Sequence, residues 1–395
     1  MTVTIGILND LRDRETRVAI LPEHLKRLLK PAKDGGVPFA CVVQTGAGLG
    51  AGETNDAYQA VGAEVVPDSQ SVWARADVVI AVQAPEASTV PDVATGRVLI
   101  GMLAPVNNLD LIRTCVEKSV TTLAFEAVPR ITRAQAADAL SSMSTVAGYR
   151  AALHAAMLCP KFFPMLMTAA GTITPARTLI IGVGVAGLQA IATARRLGAV
   201  VEAYDIRPAT KEQVLSLGAR FVELGAEDAD AETAGGYAKA QSTEQQAKQR
   251  DLLASHVADA DTVITTALAP GKPAPTLIDR ATVERMKPGA CIIDIAAQAG
   301  GNCELTKPDE TIVHNGVRIF GPTNLPAELP VHASKMLGAN ALALVKEITS
   351  GGALTVDLSN DVIGPSCITH GGEVLHNPTR EALGLEILQR AEASA

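Results

Sequence analysis

Aromatic residues are scarce in this chain: one Trp, four Tyr and six Phe, 3% of 395 residues. Hydrophobic residues still make up 47%, with alanine and valine abundant, which excludes a disordered chain and suits well-buried α/β layers. An excess of positive charge is also missing. Lys and Arg total 34 against 42 Asp and Glu, a net charge of −8, so no basic face meets a phosphate backbone and nucleic acid is not expected as a partner. Cys41, Cys115, Cys159, Cys291, Cys303 and Cys367 form no CxxC pair, which points to buried or inert thiols in a reducing cytoplasm rather than disulfides or a metal site. The seven histidines (His24, His154, His256, His314, His332, His370 and His376) show no metal-ligand spacing and no triad with Ser or Cys, so they read as surface or satisfied core groups. The start, Met1-Thr-Val-Thr-Ile, lacks the basic region and long apolar core of a signal peptide. Long hydrophobic runs are absent except at 178–194, which carries three glycines and is slightly short for a span; no direct membrane insertion is expected.

That run is the most informative stretch present. Leu179-Ile-Ile-Gly182-Val-Gly184-Val-Ala-Gly187-Leu joins an apolar strand-like segment to a helix-like one ended by Gly198, and Asp205 lies 18 residues past Gly187 at the end of Val200-Val-Glu-Ala-Tyr204. Gly182 allows a sharp turn, Gly184 removes the Cβ that would block a pyrophosphate, and Gly187 allows close helix–strand packing. Leu188 to Leu197 suits the crossover helix, whose N-terminus then offers free N–H groups and partial positive charge to the phosphates. Asp205 at the next strand's end suits the ribose hydroxyls and would repel a 2′-phosphate, favouring NAD over NADP, although Arg207 stands close by. Glycines also collect in ordinary turns, but strand, turn, helix, strand and acid fall in order within about 30 residues.

The rest of the chain alternates. Strand-like runs at 3–8, 40–44, 78–82, 98–103 and 121–125 are interleaved with helical segments, one opened by Leu21-Pro22-Glu23 with Pro at the favoured first position. Residues 132–158 contain no Pro and one interior Gly and predict one long connecting helix. The polar stretch 224–251 reads as a loop followed by a polar helix, and strands return at 262–266, 291–295 and 317–320. The helical pattern at 332–348 is expected to return to the first unit, Thr369-His370-Gly371-Gly372 reads as a turn, and the tail after Val374 is expected to approach a partner. The fold class is therefore α/β, with two doubly wound Rossmann-like domains, each with a mostly parallel sheet, joined by long helices. The expected domains are 1–141 plus 327–395, and 142–326.

Several blocks carry a family resemblance: Glu15-Thr-Arg17-Val-Ala-Ile-Leu-Pro22, Pro129-Arg130-Ile-Thr-Arg133-Ala-Gln135-Ala-Ala-Asp138-Ala-Leu-Ser141-Ser, and Ala147-Gly-Tyr-Arg150. Further on stand Met167-Thr-Ala-Ala-Gly171, Glu232-Thr-Ala-Gly-Gly-Tyr237, Thr265-Thr-Ala-Leu-Ala-Pro-Gly271 and Gly300-Gly-Asn-Cys303-Glu. In this order they resemble the NAD(H)-binding subunits of proton-translocating nicotinamide nucleotide transhydrogenases, relatives of alanine dehydrogenases. The resemblance implies a homodimer that binds NAD(H) and passes hydride to NADP(H) on a separate subunit, with membrane-spanning partner subunits that hold the chain at the cytoplasmic face. It places Arg130, Gln135, Asp138 and Ser141 near the nicotinamide and its ribose, Tyr237 on a closing loop, and Thr266, Ala267 and Leu268 with Gly182, Gly184, Val185, Ala186, Gly187, Asp205 and Arg207 in the nucleotide site. Such roles suit the chemistry, because ring-to-ring hydride transfer needs alignment and exclusion of water more than acid–base groups. By spacing alone, Arg130 and Asp138 could equally pair on the surface or cap the connecting helix.

Two alternatives differ in class. A stand-alone amino-acid dehydrogenase of the alanine dehydrogenase type would keep, by that family's pattern, a Lys where this chain has Ala81 and a His where it has Ala104; Arg17, the substrate-carboxylate position, remains. Transhydrogenase subunits often keep the Lys too, so Ala81 departs from both patterns. Loss of the proton-transfer group costs about 10² to 10⁴ in rate, which disfavours the dehydrogenase. A non-catalytic nucleotide sensor is disfavoured by the retained Gln135 and Tyr237.

Overall fold

The short aliphatic runs become buried strands. In the computed structural model, which describes residues 2–10, 12, 14–30, 38–223, 243–268, 273–350 and 353–389, the chain opens with β1 (Val3–Ile7), β2 (Phe39–Gln44), β3 (Glu64–Val66), β4 (Val78–Gln83), β5 (Val98–Met102) and β6 (Thr121–Ala124). A hairpin of β7 (Leu166–Thr168) and β8 (Gly171–Ile173) follows, then β9 (Arg177–Ile181), β10 (Val200–Tyr204), β11 (Arg220–Phe221), β12 (Thr262–Thr265), β13 (Cys291–Asp294), β14 (Thr311–His314) and β15 (Val317–Phe320). The last two are β16 (Cys367–His370) and β17 (Glu373–Val374). Thr369 and His370 thus belong to a strand, and only Gly371 and Gly372, at φ +59° and +81°, make the turn expected over all four.

The chain divides into two compact units, Met1–Met143 with Leu329–Ala395, and Ser144–Glu328. The first unit's sheet runs β17-β16-β6-β5-β4-β1-β2-β3, parallel from β6 to β3 with β16 and β17 antiparallel at one end. The second unit's runs β11-β10-β9-β12-β13-β15-β14, parallel except for β14. Both are doubly wound. Strand order reverses between β1 and β4 in one sheet and between β9 and β12 in the other, and the carboxyl ends of such strands are where open α/β sheets bind ligands.

Alanine explains how so few aromatics fill the second core. Ala151, Ala152, Ala155, Ala190 and Ala194 are buried on two helices, Ala139–Leu158 and Val185–Arg196, that pack with Ile180, Ile264 and Ile293. Small side chains permit close helix approach, and Gly148 shows the limit: a Cβ there would stand 2.1 Å from the Ala186 carbonyl oxygen. In the first unit the helix Pro330–Thr349 returns with Leu337, Ala341, Leu344 and Ile348 buried, and Asn340 Nδ2 donates to the Ala136 carbonyl at 2.8 Å. Among the described residues no helix is long and apolar enough to cross a membrane.

One expected element is broken. Residues 132–158 are not one helix: a 3₁₀ stretch, Thr132–Ala137, stops before Asp138, and the α-helix Ala139–Leu158 starts anew. The Asp138 carboxylate restarts it, accepting the Ser141 N–H at 2.9 Å, as a side-chain cap does at a helix start. The fingerprint helix also starts earlier than its apolar pattern indicates, at Val185 rather than near Leu188.

Candidate functional site

At the end of β9 the chain turns at Gly182, whose φ of +95° is strained for any residue with a Cβ. Its N–H donates to the Tyr204 carbonyl at 2.9 Å, and its carbonyl accepts the Thr266 hydroxyl at 3.0 Å. An added Cβ would lie 2.6 Å from Thr266 Oγ1. Gly187, buried in the first turn of the helix Val185–Arg196, would place a Cβ 2.0 Å from the Gly182 carbonyl oxygen. Gly184 differs: it is exposed, caps the helix with no side-chain hydrogen bond, and a Cβ there would meet nothing within 4 Å. Two glycines therefore answer to packing. The third leaves open space in front of first-turn N–H groups that no intrahelical carbonyl reaches, next to half-buried Val185 and Ala186.

Asp205, at the end of β10, is 5% exposed. Its Oδ2 accepts the Val183 N–H at 2.7 Å and Arg207 Nη2 at 2.9 Å, while Oδ1 accepts the Arg207 N–H and Nε, each at 2.9 Å. Those four donors fill the carboxylate's usual capacity. The acid is aimed by the glycine turn itself, and its charge is matched by Arg207. Repulsion of a 2′-phosphate by Asp205 thus does not follow from the acid alone, because the pair is neutral.

Across the switch point, at the end of β12, Thr266 donates its N–H to the Ile181 carbonyl at 2.8 Å. Ala267 is half-buried and Leu268 is 45% exposed. Beneath them lie two residues to which sequence reasoning gave no role. Asn302, fully buried, accepts the Ala267 N–H at 3.0 Å and donates through Nδ2 to the carbonyls of Ala267 and Pro275, each at 2.9 Å. Asp294, also fully buried, accepts hydrogen bonds from Thr265 Oγ1 (2.9 Å), Thr306 Oγ1 (2.6 Å) and the N–H groups of Ala296 (3.1 Å), Asn302 (2.7 Å) and Cys303 (3.0 Å). A signal was available: Asp294 ends an apolar strand at the ligand-binding edge, and Asn302 follows Gly300-Gly301, whose φ values are +102° and +87°.

Gly182, Gly184, Val185, Ala186, Gly187, Asp205, Arg207, Thr266, Ala267 and Leu268 thus converge on the carboxyl edge of the second sheet. In the first unit Arg130 and Gln135 are exposed, and Asp138 and Ser141 half-buried. Ser141 Oγ donates to Asp138 Oδ2 at 2.6 Å, so these two bond first to each other. Tyr237 lies outside the described residues.

Near β1 and β4 the first unit holds a buried ion pair. Glu15 Oε1 accepts Arg17 Nε at 2.8 Å, and Oε2 accepts Arg17 Nη2 and Gln83 Nε2, each at 2.6 Å. Burial alone would raise the Glu15 pKa, but Arg17 and Gln83 bring it down to about 2. Ala81 is buried within β4. Ala104 sits at φ +41° with its N–H donated to Glu126 Oε1 at 2.9 Å, and burial pushes that carboxyl above the usual range.

Comparison with known proteins agrees with this architecture. Residues 6–147 match the model of the alanine dehydrogenase/PNT N-terminal domain and residues 151–377 that of the C-terminal domain. The chain is 44% identical to the first part of NAD(P) transhydrogenase subunit alpha of Rhodospirillum rubrum, over 94% of this chain and 97% of that protein. The crystal structure of transhydrogenase from Sinorhizobium meliloti superposes with a TM-score of 0.80 at 37% identity, covering 94% of this chain and 99% of that one. Alanine dehydrogenase of Bacillus subtilis is more distant, 28% identical over 98% of this chain and 97% of that protein.

Proposed function

The chain belongs to the alanine dehydrogenase/PNT family, and we propose that within it this protein is the NAD(H)-binding alpha component of a proton-translocating NAD(P) transhydrogenase. The observation that carries this reading is near full-length similarity, 44% identity, to a protein named as a transhydrogenase subunit, in a chain whose glycine turn opens onto a sheet's switch point. The word subunit in that name supports partners. An NADP(H)-binding component and a membrane-spanning, proton-conducting component reside on them, and this chain sits at the inner membrane face through those contacts.

The second unit fits a dinucleotide. The open space before Gly184 and the uncapped helix N-terminus suit a pyrophosphate, which brings negative charge to unsatisfied N–H groups. Asp205 takes a ribose hydroxyl of the adenosine half in exchange for one of its Arg207 donors; Thr266, Ala267 and Leu268 serve the other half. Arg130, Gln135, Asp138 and Ser141 serve the nicotinamide and its ribose. Bound NADH supplies the hydride, which leaves for NADP⁺ on the partner. This chain's residues orient the ring and exclude water, and none needs to gain or lose a proton.

A second copy is the partner for an exposed apolar stretch. Met157, Phe162, Met165, Met167 and Ile173, in and before the β7–β8 hairpin, are 72%, 56%, 59%, 82% and 38% exposed, which is costly in water unless covered.

Alanine dehydrogenation is the weaker reading. Arg17 is 2% exposed in its side chain and its charge is met by Glu15, so it has no net charge to offer a substrate carboxylate, while Ala81 and Ala104 supply neither amine nor imidazole. The test is paired: NADH titration of the purified chain, and assay of pyruvate reduction with ammonia. Saturable NADH binding without pyruvate turnover is expected; pyruvate turnover at rates ordinary for enzymes would transfer the chain to the dehydrogenases.

A further inference from the structure

We propose that Asn302 is a positioning residue for the nicotinamide half of the dinucleotide, setting the affinity of this chain for NAD(H) by clamping the β12 turn; the inference rests on the NAD(H) reading above. One side-chain amide binds both the N–H and the carbonyl of Ala267, as a neighbouring strand would, and also takes the Pro275 carbonyl. It therefore ties together the two sides of the 267–275 connection. Only a carboxamide supplies an acceptor and two donors from one short side chain.

Asn302 is itself held from below. Asp294 accepts its N–H at 2.7 Å, and Gly301 leaves room for that carboxylate, since a Cβ there would lie 2.8 Å from Asp294 Oδ2. The Asn302 carbonyl in turn accepts the N–H groups of Leu277 and Ile278 at 2.8 and 3.0 Å. The clamp is built into the buried edge of the sheet, yet the residue it fixes, Ala267, is the neighbour of Thr266, whose hydroxyl reaches the Gly182 turn. A dinucleotide lies across the switch point, one nucleoside on each side. Asp205 stands on the β10 side and Ala267 on the β12 side, so an error in the clamp reaches one half of the ligand.

This asymmetry separates positioning from general stability. ADP and NADH affinities are measured by calorimetric titration of the full-length chain, for wild type, Asn302→Ala and Asn302→Asp; the Asp variant keeps the acceptor and loses both donors. The expected result is NADH affinity about tenfold or more weaker in both variants, with ADP affinity within about twofold of wild type. Equal loss of both ligands, or NADH affinity unchanged in a folded variant, overturns the role of Asn302. A wild-type chain that binds neither ligand overturns the NAD(H) reading instead. A measurement without substitution stands beside these: amide exchange at Ala267 in the ligand-free wild type should already be slow, and fast exchange there overturns a preformed clamp.

Discussion

Glu15 shows most plainly how one residue's surroundings set its behaviour. Its carboxylate is ionised against Arg17 and Gln83 with a folded pKa of about 2, below the ordinary 4.5. A depressed folded pKa contributes stability that is fully present above the unfolded value and is lost as pH falls through the folded one. The stability difference between wild type and Glu15→Gln should therefore be largest above pH 4.5 and shrink between pH 4.5 and about 2, as urea titrations across that range would show. At neutral pH the substitution should cost about 3–5 kcal/mol, because the buried Arg17 guanidinium loses the charge of Glu15. A second prediction concerns Asp205→Asn, which should weaken NADH binding by about 1–3 kcal/mol in fluorescence titration through loss of a charged acceptor; unchanged affinity would remove Asp205 from the site. That Asp205 ends a strand was legible in the sequence. Its saturation by Val183 and Arg207 was not, because spacing places Arg207 nearby without saying where its guanidinium points. Asn302 was hidden for a related reason: it lies within Gly300-Gly-Asn-Cys303-Glu, but its partners Ala267 and Pro275 are 35 and 27 positions away in sequence.

At the scale of elements, strands and helices were readable wherever aliphatic runs alternated with helical patterns. The break at Asp138 was not, since 132–158 contains no proline and its one glycine, Gly148, lies well inside the helix. It took the Asp138 carboxylate, bonded to Ser141, to end one helical turn and start another. The glycine turn offers a sharper test of local argument, because its glycines have different neighbours. Gly184→Ala meets nothing within 4 Å and should leave the melting temperature within about 2 °C of wild type while weakening NADH binding. Gly187→Ala drives a Cβ against the Gly182 carbonyl and should cost about 1–3 kcal/mol of stability as well. Scanning calorimetry paired with NADH titration separates the two; equal melting temperatures would contradict the packing account.

For the whole molecule, the sequence made legible an α/β fold with two doubly wound sheets, and the family resemblance carried most of the functional reading. The strand orders themselves, with reversals at β1/β4 and β9/β12, needed pairings between distant segments that no local pattern contains. The exposed stretch from Met157 to Ile173 was likewise illegible, because an apolar residue in sequence looks the same whether covered or bare. The proposed dimer predicts that Met167→Asp, at a side chain 82% exposed, leaves the fold intact and lowers the mass from dimer toward monomer in analytical ultracentrifugation; a monomeric wild type would contradict the dimer, and a variant that stays dimeric would contradict this surface. The central claim is that this chain holds NAD(H) for hydride exchange with NADP(H) on another polypeptide. It is tested most directly by mixing the purified chain with the NADP(H)-binding component of a related transhydrogenase, NADH, an oxidised NAD analogue and catalytic NADP, and following reduction of the analogue. Turnover that requires both proteins is the predicted result. Absence of turnover, with NADH bound and the partner shown to dock, would contradict it.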